Sequence, residues 1–183
     1  MITHNFLKLQ VCTLIFAAII FPLSALAGSN SKQATIEFAL GTHEVVDYQK
    51  SSCIPFTNMG GTITGIGTGS ITEKGKSESL RLLSMTADDC ITPDLTYTHF
   101  TAEGNLTLSA GKSDTITAHY SCSFSPTINP NDDPNLYEFS DFKITITGGT
   151  GRFTEVSGSG TAAGLSNIKS GLGFVEGIID ISK

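Results

Sequence analysis

The chain has 183 residues, of which 17 are acidic and 11 basic, and its formal net charge is −6. No run of Lys or Arg occurs, so the electrostatic attraction on which nucleic-acid binding depends is missing and no nucleic-acid partner is expected. The length fits one domain that is large enough to bury its own core.

The first 27 residues have the pattern of a secretory signal peptide. Lys8 lies in a short polar start, an apolar stretch runs from Leu9 to Phe21, and Ala25-Leu26-Ala27 supplies a small-x-small cleavage site. The apolar stretch is shorter than the about 20 residues that a membrane-spanning helix needs. We therefore expect cleavage after Ala27, a periplasmic or secreted protein, no membrane span after cleavage, and one domain over residues 28–183.

The rest of the chain predicts strands, because short alternating runs are separated by Gly, Pro, Asn and Asp. The run ATIEFAL places Ile36, Phe38 and Leu40 on one face, and HEVVDY continues it after an expected kink at Gly41. The glycine-rich run GGTITGIGTGSIT predicts a strongly bent second strand, and ESLRLLSMTA predicts a third.

The clearest alternation follows in SDTITAHYSCSFS, which forms a predicted hairpin with YTHFTAEGNLTLSA across the turn AGK. It places Ile116, Ala118, Tyr120, Cys122 and Phe124 on one face, and His119 on the opposite, solvent-exposed face. Three more strands are predicted in LYEFSDFKITIT, RFTEVSGSGTAAG and GFVEGIIDIS. About eight strands joined mostly by short turns predict an all-β meander sandwich or a closed antiparallel barrel. We favour the single closed barrel, since closure removes exposed strand edges.

The segment GGTGRF, Gly148 to Phe153, has the glycine pattern of a nucleotide-binding loop after a strand. A dinucleotide loop has to open a helix and lead into further βαβ units, and the residues that follow predict strands instead. We interpret the segment as a hairpin turn in which Gly148, Gly149 and Gly151 take positive φ angles.

Three cysteines remain after residue 27. In a meander, Cys53 precedes the second strand and Cys90 follows the third, at the same end of the barrel, so we expect a Cys53–Cys90 disulfide, with Cys90–Cys122 as the competing pair. Cys122 would otherwise be a buried thiol. His99 begins the fourth strand at that end, so an alternative is a zinc or copper(I) site formed by Cys53, Cys90, Cys122 and His99, although no close CxxC spacing supports it. No cofactor is expected.

The segment ITGGTGRFTEVSGSGTAAG, together with GFVEGIIDIS, resembles the bacterial allene oxide cyclase barrel-like proteins, which are related to the plant allene oxide cyclases and dirigent proteins. The resemblance covers Phe142 to Ser182 and, more loosely, Gly60 to Thr72. It implies an eight-stranded antiparallel barrel with a central cavity. It places no catalytic residue on this chain.

No catalytic constellation is readable in the sequence, since the histidines are scattered and no Gly-x-Ser-x-Gly motif occurs. Glu176 and Asp180 are carboxylates on the last strand that could act as a general acid or base inside a barrel. We expect them to face water instead, with their neighbours Val175, Ile179 and Ile181 inward. Candidate residues of the core or of a cavity are Phe38, Phe139, Phe142, Phe153 and Phe174.

These observations favour an exported barrel that binds a small apolar ligand. One alternative is a cofactor-independent isomerase or cyclase of a lipid-derived substrate, which the resemblance implies and which requires an ionisable residue facing a cavity. Another is a structural or interaction protein of the cell envelope, which requires a filled interior and an exposed apolar patch. An oligomer is compatible with each of them.

Overall fold

A computed structural model of the chain describes residues 32–53, 59–128 and 133–183. In these residues eight antiparallel strands follow one another around a closed barrel, in which β8 pairs with β1. The strands are β1 (Gln33–Asp47), β2 (Gly60–Glu73), β3 (Lys76–Pro93), β4 (Phe100–Ala110), β5 (Thr115–Pro126), β6 (Leu136–Thr150), β7 (Ser157–Asn167) and β8 (Leu172–Ser182). The predicted fold class and meander order are confirmed.

The predicted signal peptide, residues 1–27, lies outside the described residues. Within the described ranges, no helix has the length and apolar character needed to cross a bilayer.

Period-two alternation of side chains builds the core, because successive residues of a strand point to opposite faces of the sheet. On β5, Ile116, Ala118, Tyr120, Cys122 and Phe124 are buried, as their alternation predicts, and His119 is exposed. The largest side chains that are fully enclosed come from five different strands and are Ile36, Leu40, Leu83, Ile116, Ile144 and Ile179. The core is therefore the inside of the barrel.

Strand β1 is not interrupted at Gly41, where the sequence predicted a kink. It runs without a break from Gln33 to Asp47, and Gly41 pairs with Ile66 on one side and Phe174 on the other. The alternation that buries Ile36 and Leu40 therefore continues through Gly41 to the second half of the strand.

The glycine-rich segment between β6 and β7 differs from the predicted hairpin turn. Gly148 and Gly149 lie inside β6, and of the three glycines only Gly151 has a positive φ, at 59°. Gly151 opens a single turn of 3-10 helix, Gly151–Phe153, which reverses the chain. At position 149 glycine is needed because the backbone of Phe153 passes close by. A Cβ atom there would lie 2.5 Å from the Phe153 carbonyl oxygen.

The two ends of the barrel differ in their connections. The β2–β3, β4–β5 and β6–β7 connections lie at one end, together with Lys32 and Lys183, whose backbones bond reciprocally at 3.0 Å. The connections β1–β2, β3–β4, β5–β6 and β7–β8 lie at the opposite end, which we call the mouth. Phe153 is buried beside the β6–β7 connection, at the end that is not the mouth.

Candidate functional site: a cavity with two carboxylates

The barrel encloses a cavity on the mouth side of its core. The part of this cavity that the centre of a water molecule can occupy has a volume of about 70 Å³. Its walls are mostly apolar and include Phe38, Ile63, Met85, Ala87, Ala102, Leu106, Phe139, Phe142, Ile144 and Val175. A second space of about 460 Å³ adjoins it at the mouth, and Glu44, Ile91, Phe124 and Ile168 line both. The inner cavity therefore lies directly beneath the space at the mouth.

Asp89 is a buried carboxylate in the wall of this cavity, with 4% of its surface exposed. The Tyr120 hydroxyl donates a hydrogen bond to its Oδ2 at 2.7 Å, and the Gly61 N–H donates to its Oδ1 at 2.7 Å. Both oxygens thus have a donor, as a buried carboxylate requires. Burial nevertheless raises the pKa of Asp89, with the two hydrogen bonds and Lys50 acting in the opposite direction.

Glu44 is the second carboxylate of the cavity and the less satisfied one. Its Oε1 is buried and accepts no hydrogen bond from the described residues. A Cβ atom built on Gly61 would lie 2.3 Å from this oxygen and 3.0 Å from Asp89 Oδ1, so the glycine leaves room for both carboxylates beside one stretch of backbone. The two acidic groups are neighbours across β2.

The surroundings of Glu44 favour its neutral form. The pKa of Glu44 is raised from 4.5 to about 7, chiefly by burial and then by the negative charge of Asp89, while Lys50 acts in the opposite direction. A carboxyl group whose pKa lies near 7 can both take up and release a proton under neutral conditions. Glu44 is therefore the cavity residue best placed to exchange a proton or to accept a hydrogen bond from a ligand.

Tyr120 and Cys122 line the same cavity, and both stay protonated. Burial, followed by the charge of Asp89, raises the pKa of the Tyr120 hydroxyl well above its ordinary range. Burial also raises the pKa of the Cys122 thiol to about 12. Tyr120 acts as a hydrogen-bond donor to Asp89. The protonated thiol of Cys122 is unreactive and forms a small, largely apolar part of the cavity lining.

A disulfide-bonded segment supports Asp89 from outside the barrel. Cys53 and Cys90 form a disulfide, the first of the two predicted pairings. In the segment that leads to Cys53, the Lys50 ammonium donates to the backbone oxygens of Gly61 and Asp89, each at 2.9 Å. The ammonium also pairs with the Asp88 carboxylate. The bridge thus holds a lysine against the strands that carry the carboxylate.

The competing Cys90–Cys122 pair is excluded by the alternation of the strands. Cys122 is a free thiol on the inner face of β5. Cys90 follows the inward-facing Asp89 on β3, so it lies on the outer face. The barrel wall separates the two sulfur atoms.

The alternative metal site is not assembled either. Cys53 and Cys90 are bonded to each other, and Cys122 is inside the barrel. His99 lies in an exposed turn, where its Nδ1 is 3.0 Å from the Thr98 hydroxyl oxygen. Among the residues that the structure describes, no group of three or more His, Cys, Asp or Glu side chains could hold a metal ion.

The last strand presents its carboxylates to solvent. Val175, Ile179 and Ile181 are buried, and Glu176 and Asp180 are exposed on the other face, as expected.

Four of the five candidate phenylalanines lie inside the barrel. Phe38, Phe139 and Phe142 line the cavity, and Phe153 is buried. Phe174 was expected among the core or cavity residues and is instead 45% exposed, because it neighbours the inward-facing Val175 and so faces outward.

Sequence reasoning missed both interior carboxylates, although the alternation carried the signal. On β1, Glu44 lies an even number of residues from Ile36, Phe38 and Leu40 and therefore on the same face of the strand. On β3, Asp89 lies on the same face as Leu83 for the same reason. The expected kink at Gly41 hid the position of Glu44, since the alternation of inward and outward side chains cannot be extended past a break in a strand.

The comparisons with known proteins are limited to fold. No family model matches the chain, and no curated protein matches it. Among solved structures, the chain is similar to a pterocarpan synthase dirigent protein at 15% sequence identity, with a TM-score of 0.40, over 92% of this chain and 98% of that one. No residue role or activity is carried over from it. Membership of the allene oxide cyclase barrel-like group stays a prediction.

Proposed function

We propose that the protein binds a small, mainly apolar molecule in the barrel cavity, which the molecule enters through the mouth. The observation that carries this is the buried Glu44 Oε1, which faces an apolar cavity without a hydrogen-bond donor among the described residues. Protein interiors normally fill such a space and pair such an oxygen. A ligand with an apolar body and one donor group would do both.

The size and lining of the space support this proposal. Ligand sites are concave and largely apolar, with a few polar groups that fix orientation. Here the polar groups are Glu44, Asp89 and Tyr120, together with the hydroxyl groups of Thr42 and Ser166, in an otherwise mostly apolar wall. A structural protein with a filled interior, the third interpretation of the sequence, does not account for this cavity.

Filling the cavity tests the proposal. Ala87 is buried and lines the cavity, whereas Ala163 is exposed on the outer face of β7. Binding of benzyl alcohol is followed by amide chemical shifts, and Ala87→Leu is expected to weaken it at least about tenfold, a loss of about 1.4 kcal/mol. Ala163→Leu is the matched control and is expected to bind as the wild type does. Shift changes that avoid the barrel interior, or equal binding by the two variants, would contradict the proposal.

A second candidate is a cofactor-independent isomerase, which the pKa of Glu44, about 7, favours. In such a reaction Glu44 would remove a proton from the carbon beside a carbonyl group and return it further along the conjugated system, with no net gain or loss of atoms. The conversion of cyclohex-3-enone to cyclohex-2-enone, followed by ultraviolet absorbance, measures this activity. We expect a rate that rises through about pH 7 and is lost in Glu44→Gln. A rate equal to that of the buffer would exclude this candidate.

We further propose that the protein works outside the cytoplasm and belongs to the allene oxide cyclase barrel-like group. The Cys53–Cys90 disulfide supports the first point, because such bonds persist in oxidising compartments. The glycine-rich segment over Phe142 to Ser182 and the eight-strand barrel support the second. The intact mass of the protein recovered from its native host, beginning at Gly28, tests export.

A further inference from the structure

We propose that the ligand of the barrel is an amine, that is, an apolar molecule whose protonated amino group lies against Glu44. This inference rests on the proposed binding of a ligand in the cavity and names its chemical class. It follows from the charges in the cavity, from the partners that these charges already have, and from the charges around the mouth.

The charges in the cavity have one sign. Glu44 and Asp89 line the inner cavity, and Glu44 also lines the outer space. Among the described residues that line the two spaces there is no Lys, Arg or His. A carboxylate or phosphate on a ligand would therefore meet like charge in a poorly solvated place, which is costly.

The cation nearest to the pair already has its partners. Lys50 contacts the Asp88 carboxylate and two backbone oxygens on the outer side of the wall. Asp89 has a donor on each carboxylate oxygen. This leaves Glu44 Oε1 as the buried carboxylate oxygen of the cavity that has no hydrogen-bond donor among the described residues.

An ammonium group supplies what Glu44 lacks. It brings a positive charge and several N–H donors, and a charge-assisted hydrogen bond is stronger than a neutral one. A hydroxyl group brings only the hydrogen bond. The aromatic rings of Phe38, Phe139 and Phe142 line the same cavity and can face either an apolar body or a cation.

The basic residues at the mouth lie beside acidic ones. Asp94 and Asp133 lie in connections at this end, and hydrogen bonds lower the pKa of both, so both stay ionised. The basic residues in the described connections of the mouth are Lys50, which pairs with Asp88, Lys169, which lies near Asp133, and His99, whose Nδ1 is 3.6 Å from an Asp94 carboxylate oxygen. These connections therefore offer no unpaired cation to an anionic ligand.

Three molecules of one shape test the inference: benzylamine, benzyl alcohol and benzoate. At about pH 8, above the pKa of Glu44, we expect benzylamine to bind at least about tenfold more tightly than benzyl alcohol, and benzoate to bind more weakly than either. Glu44→Gln should remove the preference for the amine, because the amide keeps an acceptor oxygen but carries no charge. Glu103→Gln, an exposed site on β4, is the matched control and should keep the preference.

A second measurement needs only the wild-type protein. Near pH 7 about half of the Glu44 side chains carry a proton, so binding of the ammonium group should release about half a proton per ligand. Calorimetry in two buffers with different ionisation enthalpies measures this release. Benzyl alcohol should release none. The groups that contribute to the titration of Glu44 are Asp89 and Lys50, and Tyr120 and Cys122 stay protonated in this range.

The outcomes separate the inference from the proposed function. If benzyl alcohol binds inside the barrel as tightly as benzylamine, or if Glu44→Gln keeps the preference for the amine, the amine assignment is wrong and ligand binding stands. If none of the three molecules shifts the signals of residues inside the barrel, both are wrong.

Discussion

Replacing Glu44 by Gln is expected to stabilise the protein, and to do so more at neutral than at acidic pH. The amide has nearly the same size as the carboxyl group but carries no charge to desolvate. In the wild type, burial raises the pKa of Glu44 from 4.5 to about 7. Folding therefore favours the protonated carboxyl group. The resulting stabilisation is complete below the unfolded pKa of 4.5 and is lost as the pH rises through about 7.

The magnitude follows from the two pKa values. At about 1.4 kcal/mol per pKa unit, the rise from 4.5 to about 7 corresponds to at most about 3 kcal/mol. The difference in unfolding free energy between Glu44→Gln and the wild type should grow by about this amount between about pH 4 and about pH 8. Asp89 is present in both proteins, so the difference between them reports the titration of Glu44 together with its coupling to Asp89.

Urea unfolding at a series of pH values, without reductant, measures this difference. The chain has no tryptophan and four tyrosines, so circular dichroism or tyrosine fluorescence reports unfolding. Glu103→Gln serves as the control, because it makes the same chemical change at an exposed position on β4. A constant difference for Glu44→Gln, or a variant less stable than the wild type at about pH 8, would refute the reasoning.

Three further predictions concern the rest of the site. Replacing Cys53 and Cys90 by Ala should lower the free energy of unfolding by about 4 kcal/mol, because the disulfide closes a sequence separation of 37 residues. A urea denaturation midpoint equal to that of the oxidised wild type would contradict this. Tyr120→Phe should cost about 1.5–3 kcal/mol near pH 7, since it removes a donor from the buried Asp89 carboxylate, and a neutral substitution in urea unfolding would show that this hydrogen bond is unimportant. The buried thiol of Cys122, whose pKa is raised to about 12, should resist iodoacetamide in the folded protein and react after unfolding. Intact mass measures the addition. Rapid labelling of the folded protein would contradict this prediction and show that the thiol is accessible.

The alternation of apolar and polar residues along single strands, together with the short turns between them, predicted most of the fold. The inner face of β5 could be read directly from the sequence, because a barrel strand with one buried face has to alternate. The Cys53–Cys90 bridge could be predicted because a meander brings the start of its second strand beside the end of its third.

The candidate site was harder to predict, because polar residues inside a barrel look like breaks in its alternation. Glu44 and Asp89 stand where hydrophobic side chains are expected, and each is tolerated by a contact that only the fold creates. Gly61 leaves space for both, and Tyr120 reaches Asp89 from β5 across a sequence separation of 31 residues. No local pattern contains that pairing.

The reciprocal backbone hydrogen bonds between Lys32 and Lys183 have a practical consequence for engineering. The chain enters and leaves the barrel side by side, at the end opposite the mouth. An affinity tag, a fluorescent protein or a surface linker joined at either point would project away from the cavity. The same adjacency would allow a short linker to join the two points and new termini to be opened in the exposed β4–β5 turn near Lys112, which lies at the same end.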